Sequence, residues 1–402
     1  MFLYSAAIYV YTALIYLIAP FHRKAKLWVN GRKNAIRDLQ HANMHHCIWF
    51  HCASLGEFEQ GRPLIEYIRQ THPNAKILLT FFSPSGFEQM KNVQLVDYVM
   101  YLPADTLSNA QKFLQAAQPR MAIFVKYDFW LHIISNCQKQ QVPLFLISAE
   151  FRKSQWLFHP LAKSYLSVLR AFSHIFVQSS ESYDLLLDNG FTQVSIAGDT
   201  RIDRVINIRN ESFSDDVIER FVHDRYVFMV GSSWPQDIKM ITKIFHTLPE
   251  NIAIIIAPHA VDEASINTLL ASLKVKCWIY SQPITHEHLA PVLVIDTIGK
   301  LSRLYRYSHW AYVGGGFGKG IHNLLEPAVY GIPVAFGPCH HKFPEARWLV
   351  DEGQGTIIQS SDDLLDFINR SLPGSLPLPI SPSIDNRKGA VDFIYAQIRN
   401  YI

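Results

Sequence analysis

Two short stretches carry residue types that could do chemistry where a strand ends. In the first, 48–58 reads IWFHCASLGEF, an apolar run that breaks at Ser54-Leu55-Gly56-Glu57. A carboxylate on such a turn, beside a glycine without bulk, is open to a ligand. Partial desolvation raises its proton affinity toward that of a general base. The same letters also spell a capping box, in which Ser54 and Glu57 merely satisfy free N–H groups at a helix start. Spacing alone does not choose between base and cap. Glu59, one turn further in, belongs to no constellation. In the second stretch, 313–338 reads VGGGFGKGIHNLLEPAVYGIPVAFGP. A strand, a glycine turn and a helix start together suggest an anion site. Asn323 and Glu326 share one face of the first turn, where a carboxylate suits sugar hydroxyls. The stretch therefore reads as a nucleotide holder, with ribose on Glu326 and phosphate nearer the glycines. Here too the pair Asn323-x-x-Glu326 can be a cap and nothing more.

Two common nucleotide motifs do not fit. G-x-G-x-x-G fails because its third glycine falls on Lys319 or Ile321. A P-loop would need glycine in place of Val313 and Ser or Thr in place of Gly320. Neither a dinucleotide oxidoreductase nor a kinase-type NTPase is favoured. The net charge of +3 is too small for a general nucleic-acid binder. The 5 cysteines include no C-x-x-C, which fits a reducing compartment and gives no zinc signature. The doublets His45-His46 and His340-His341 lack metal-ligand spacing.

The elements that must position these residues follow from hydropathy. Apolar runs at 48–53, 76–82, 98–102, 121–126, 144–148, 174–178 and 194–197 alternate with helical stretches. A second series occupies 226–230, 252–257, 277–280, 292–295, 310–313, 333–336 and 356–358. Continuously apolar strands of this kind belong to parallel sheets covered on both faces, so the chain predicts two doubly wound α/β domains. Their limits are expected at 22–206 and 207–402, with the polar stretch 207–216 as linker, 371–383 as a loop and 389–402 as a closing helix. Ligands of such folds sit beyond the carboxyl ends of strands. That singles out 54–57 and 126–128 in the first domain, and 231–234, 258–259, 296–300 and 314–326 in the second. Residues 1–21 contain no charged side chain, and Arg23, Lys24, Lys26, Arg32, Lys33 and Arg37 follow at once. A helix of about 21 residues is roughly 30 Å long, near the thickness of a bilayer core. The stretch predicts an N-terminal membrane anchor, spanning or interfacial, with the rest of the chain on the cytoplasmic side. A buried helix of the first domain is the ordinary alternative.

The runs IWFHCASLGEFEQGRPLIE, TFFSPSGFE, YLPADT, QSS with GDTRIDRV, DTIGKLSRLY and GGGFGKGIHNLLEPAVYGIPVAFGP occur in this order. In them the chain resembles the 3-deoxy-D-manno-octulosonic acid (Kdo) transferases, from its start to about Trp348. The resemblance implies the GT-B fold, two Rossmann-like domains around a cleft. It implies transfer of Kdo from CMP-Kdo to a lipid A precursor, lipid IVA, at the cytoplasmic face of the inner membrane. The transfer would invert the anomeric centre and need neither metal nor cofactor. It implies Glu57 as general base. It also implies a CMP-Kdo site at Pro258, His259, Ile298, Gly299, Lys300, Asn323, Leu324, Leu325 and Glu326. Lys126 and Asp128 fall where the family places an acceptor-side motif. The chain departs from the family's common letters at Pro258-His259-Ala260, Ile298-Gly299-Lys300-Leu301 and Lys126-Tyr127-Asp128-Phe129-Trp130. Lys300 is the candidate to replace a basic phosphate contact absent from the first of these. Two other functions share the pattern: a GT-B enzyme using a UDP-sugar, and a membrane-tethered glycolipid-binding protein without catalysis.

Overall fold

A computed structural model describes residues 1–159, 162–283, 290–318, 320–370 and 383–402. Lys319, within the glycine stretch, and all but the last residue of the expected loop 371–383 lie outside them. The chain divides into two compact units, Met1–Asp203 with Arg387–Ile402, and Arg204–Asn386.

Each unit is built on a seven-stranded parallel sheet. The first contains β1 (Ile48–Cys52), β2 (Ile77–Phe81), β3 (Tyr98–Tyr101), β4 (Met121–Val125), β5 (Leu144–Ala149), β6 (His174–Val177) and β7 (Val194–Ile196). Their order is β3-β2-β1-β4-β5-β6-β7. The chain thus starts in the middle, winds out to β3, then crosses to β4 on the other side of β1. The two central pairs are in register at Ile48↔Ile77 and Ile48↔Met121. Side chains alternate across the sheet with period two. Trp49 joins Phe113 and Phe124 in one core layer, and Ile48 and Phe50 join Phe58 and Phe81 in the other. Each of these buried side chains is worth about 1.5–3 kcal/mol relative to exposure. Burial on both faces is why the strands read as unbroken apolar runs.

The second unit repeats the scheme with β8 (Tyr226–Ser233), β9 (Ile252–Pro258), β10 (Cys277–Ile279), β11 (Val292–Val294), β12 (Trp310–Val313), β13 (Val334–Phe336) and β14 (Gly355–Ile357). Their order is β10-β11-β9-β8-β12-β13-β14. Every expected strand is therefore present. The limits between units differ in two ways. The helix Thr200–Asn210 runs across the division, so 207–216 is the end of one helix and the approach to the next (Asp216–Val222) instead of a loose linker. The closing helix Ala390–Ile398 returns to the first unit. There Asp203 accepts hydrogen bonds from the Gly389 and Val391 amides at 2.6 and 3.0 Å, and Ile394 and Ile398 enter the core beside Ile48.

The N-terminal segment forms α1 (Phe2–Ile18) and α2 (Arg23–Arg32), bent by 118° where they meet. Among the described residues no single helix is long and apolar enough to cross a membrane; the bent pair together meets that test by length and composition. One stripe of α1 is tied to the first unit. Tyr4 donates to Asp105 at 2.6 Å, Ser5 Oγ lies 2.9 Å from His132 Nε2, and Tyr11 packs on Trp28 and Phe82. The other side exposes Phe2, Leu3, Val10, Leu14, Leu17 and Ile18. Ordinary surface helices turn their apolar face inward. This one points its polar groups inward and its apolar face out, so it is not the buried helix of the ordinary alternative; only Ile8 is buried along it.

Candidate active site

In an open parallel sheet the crevice for ligands lies where the winding reverses. In the first unit that point is between β1 and β4, and both predicted carboxylates stand at it. Glu57 lies in the first turn of the helix Leu55–Thr71, immediately after β1. The capping box does not form. Ser54 is the N-cap residue but its side chain makes no capping bond. The Glu57 carboxylate reaches past it to accept the Ala53 amide hydrogen. Its proton affinity is pushed up to about 7, chiefly by burial and next by the negative charge of Asp128. His51, the Ala53 amide and Lys126 act the other way. A half-buried carboxylate that exchanges its proton near neutrality has the property a general base needs.

Asp128 comes from the turn after β4. There Lys126 adopts φ 66°, a left-handed conformation that costs a residue with a side chain about 1–2 kcal/mol. The bend brings Asp128 back over β1. Its Oδ2 lies 2.7 Å from His51 Nε2 and accepts the Trp130 indole N–H at 2.8 Å. His51 is wholly buried, and its Nδ1 lies 2.8 Å from Thr80 Oγ1. The Trp49 indole donates to that same hydroxyl at 2.9 Å.

The matching reversal in the second unit lies between β8 and β12. Its glycines do a different job from the one expected. A Cβ on Gly316 would come within 2.5 Å of Gly337 Cα, and one on Gly314 within 2.5 Å of the Ser232 carbonyl oxygen. These glycines let backbone cross backbone inside the unit, so Gly314 and Gly316 are packing positions and not an open phosphate cradle. The turn is held by Asp237, which has no exposed surface. One oxygen accepts the Trp234 and Gly315 amides at 2.8 and 2.9 Å; the other accepts the Tyr312 hydroxyl at 2.7 Å. Above it Trp234 stacks on His259 with centroids 4.3 Å apart, and His259 lies 4.7 Å from His322. The Trp234 indole donates to His322 Nε2 at 2.9 Å, which fixes that nitrogen as an acceptor. Burial, then the neighbouring His259, holds His322 down at about 4, and burial also lowers His259. Near neutral pH the pair presents uncharged rings.

The remaining predicted donor residues divide. Asn323 stands just ahead of a helix of a single turn, Leu325–Ala328, where its Oδ1 accepts the Leu325 amide hydrogen, and its Nδ2 donates to Glu326 at 3.2 Å. So short a helix has little dipole, which removes one reason for placing phosphate there. Leu324 and Leu325 are wholly buried. Pro258 ends β9, and the next amide, of His259, bonds to the Ser233 carbonyl at 3.0 Å. Ile298 is 86% exposed, and Gly299 has φ 87° with open space around it. Lys300 is not a loose cation: its ammonium pairs with Asp215 at 3.2 Å and bonds the Tyr280 hydroxyl, and the Tyr280 bond is the main reason its proton is held more tightly. Arg201 is clamped on Asp199 through its Nε and Nη2.

Against this geometry the relatives can be set. Residues 29–204 match the family described as 3-deoxy-D-manno-octulosonic-acid transferase (kdotransferase). The 3-deoxy-D-manno-octulosonic acid transferase of Aquifex aeolicus (strain VF5) is 26% identical over 340 residues, 82% of this chain and 87% of that one. The chain is similar to the Kdo transferases in both comparisons. The transferase of Haemophilus influenzae (strain ATCC 51907 / DSM 11121 / KW20 / Rd) is likewise 26% identical, over 79% of this chain and 77% of its own. Among solved structures, the UDP-GlcNAc 2-epimerase of Neisseria meningitidis bound to UDP-GlcNAc shares the fold with TM-score 0.60 at 14% identity, covering 88% of this chain and 99% of that one. The matched segment holds the whole carboxylate arrangement of the first unit, from His51 to Trp130.

Three residues escape a reading by motif. His51 had a signal, being the one polar letter able to ionise inside an otherwise apolar strand. Asp237 had another: Trp234-Pro235-Gln236-Asp237 places proline and an acid where a helix starts. His322 precedes the helix Leu325–Ala328 and completes the ring stack.

Proposed function

We propose that this chain is a Kdo transferase that moves Kdo from CMP-Kdo to a lipid A precursor, lipid IVA, with inversion at the anomeric carbon. Glu57 removes the proton from an acceptor sugar hydroxyl as that oxygen bonds to the anomeric carbon. The bond from that carbon to the phosphate oxygen breaks, and CMP leaves with the electron pair. The observation that carries this reading is a carboxylate at the winding reversal of the first unit, released from its capping role and tuned to exchange a proton at about 7. The donor is assigned to the second unit, around Trp234, His259 and His322, with Asn323 and Glu326 toward the ribose. The test is incubation of the purified chain with CMP-Kdo and a tetra-acylated lipid A precursor, followed by mass spectrometry of the lipid. Added Kdo supports the reading. Turnover with a UDP-sugar and none with CMP-Kdo would replace it by the UDP-sugar reading.

What supports a membrane-borne acceptor is α1, whose outward apolar face suits the boundary of a lipid layer, with Arg23, Lys24 and Lys26 beside it for anionic headgroups. The reading places the chain on the cytoplasmic face of the inner membrane, with α1 lying in the interface. Changing Val10, Leu14 and Leu17 together to Ser should lower flotation with anionic vesicles at least tenfold. All three are exposed, so the thermal transition and CMP binding should stay as they are. Undiminished flotation would remove α1 as the tether.

A further inference from the structure

The buried polar chain behind Glu57 does nothing that the fold requires. A strand in the middle of a sheet gains by filling every inward position with apolar groups, yet β1 places a histidine there, wholly enclosed. Its partners define its protonation. Thr80 Oγ1 already accepts the Trp49 indole N–H at 2.9 Å. The hydroxyl has one hydrogen to give, and His51 Nδ1 at 2.8 Å is a closer acceptor than the Phe50 carbonyl at 3.4 Å. Thr80 then donates to Nδ1, the remaining proton sits on Nε2, and Nε2 donates to Asp128 Oδ2 at 2.7 Å. With the Trp130 indole N–H at 2.8 Å, that oxygen receives two donors, both fixed by groups that do not rotate freely.

We propose that His51 and Trp130 act as positioning residues that hold the Asp128 carboxylate against Glu57, and that Asp128 thereby sets the pH at which the base becomes competent. The inference rests on the reading of Glu57 as base. The two carboxylates are held two residues apart where β1 ends: Asp128 on the ring of His51 within the strand, Glu57 on the amide of Ala53 just after it. Two negative charges so placed cannot both ionise as readily as one. The groups facing Glu57 are His51 and Cys52 from β1 and Lys126, Tyr127 and Asp128 from the turn after β4. Of these, Asp128 is the largest influence after burial, and Lys126 opposes it. A base that ionised far below neutral pH would be a weaker proton acceptor at the moment of attack. The arrangement uses a second, immobilised carboxylate to keep the first one basic.

The test is the pH profile of kcat/KM for Kdo transfer in the full chain, with Asp128→Asn and Asp128→Glu. Asn removes the charge and keeps the shape, so the acidic limb should move to lower pH and the plateau rate fall about tenfold. Glu restores the charge and should leave the limb near its original position. A 13C titration of labelled Glu carboxyls, with the Glu57 signal assigned through Glu57→Gln, reads the same midpoint without turnover. A limb and a midpoint unmoved by Asp128→Asn overturn the proposal, and so does a limb that Asp128→Glu moves as far as Asn does. Should Asn unfold the chain, as judged by loss of the thermal transition, Trp130→Phe takes its place. It removes one of the two donors that hold Asp128 and keeps the charge. The limb should again move to lower pH, and a limb and midpoint that it leaves unmoved overturn the proposal. Full activity of Glu57→Gln would instead overturn the base assignment, whatever the titration shows.

Discussion

Glu57→Gln should cut Kdo transfer by about 10²- to 10⁴-fold, the usual worth of a general base, and leave CMP affinity nearly unchanged. Gln keeps the length of the side chain, and its amide oxygen can still accept the Ala53 N–H, so the turn survives and only the proton acceptor is lost. The same substitution should stabilise the fold above a certain pH. In the folded chain the carboxyl holds its proton up to about 7, above its ordinary value. A group whose folded value is raised contributes its full stability at low pH and loses it as pH rises through the folded value. Above that range the wild type keeps an ionised, half-buried carboxylate beside Asp128, a cost that Gln does not carry. The gain in melting temperature should therefore be small near pH 4, grow toward pH 7 and level off beyond it. Activity in the wild type runs the opposite way, rising over the interval in which stability declines, as expected where a functional group is held in an unfavourable setting. Transfer assayed by CMP release, with calorimetric CMP binding and melts across pH, covers both halves. A Gln variant within tenfold of the wild-type rate would remove Glu57 as the base.

How much of this was legible in the letters depends on whether period and composition determine the feature. The strands were, because a parallel strand buried on both faces must be apolar throughout, and all fourteen fall on such runs. Glu57 and Asp128 were, because the winding order puts 53–57 and 126–128 at the same reversal. Whether Glu57 caps or catalyses was not. A capping box and a catalytic turn share the same spacing, and only the partner of the carboxylate, Ala53 instead of Ser54, separates them. The glycine stretch misled for a related reason. Gly314 and Gly316 are required by a close approach, but sequence does not say whether what approaches is a ligand or another backbone such as Gly337. Lys300 misled because its anion, Asp215, is 85 residues away in the chain. The closing helix went to the wrong unit because its docking partner, Asp203, lies far upstream and carries no local signal.

Asp237 accepts three hydrogen bonds at the turn of the second unit, and its loss should be felt there more than any change at the rings themselves. Replacement by Ala would leave two buried amides, of Trp234 and Gly315, and the Tyr312 hydroxyl without the acceptors they now have. Each orphaned donor costs about 1–3 kcal/mol, and the site has no exposed surface through which water could easily substitute. A total of about 4 kcal/mol follows, which for a unit of this size lowers its thermal transition by roughly 8–16 °C. The effect on function should come by way of Trp234. Its backbone is fixed by Asp237 at the start of the helix Pro235–Ile241, and its ring is the platform on which His259 stacks and to which His322 is bonded. Release of that backbone should loosen all three rings and weaken CMP binding at least tenfold even below the new transition temperature. Asp237→Asn keeps one acceptor oxygen but turns an NH2 group toward a donor, so it should fall between wild type and Ala in both measurements. Scanning calorimetry with and without CMP separates the two effects: a lowered transition that CMP no longer raises is the expected result. A transition within about 2 °C of wild type, or one that CMP still raises by the wild-type amount, would show that the turn is held by its glycine packing alone.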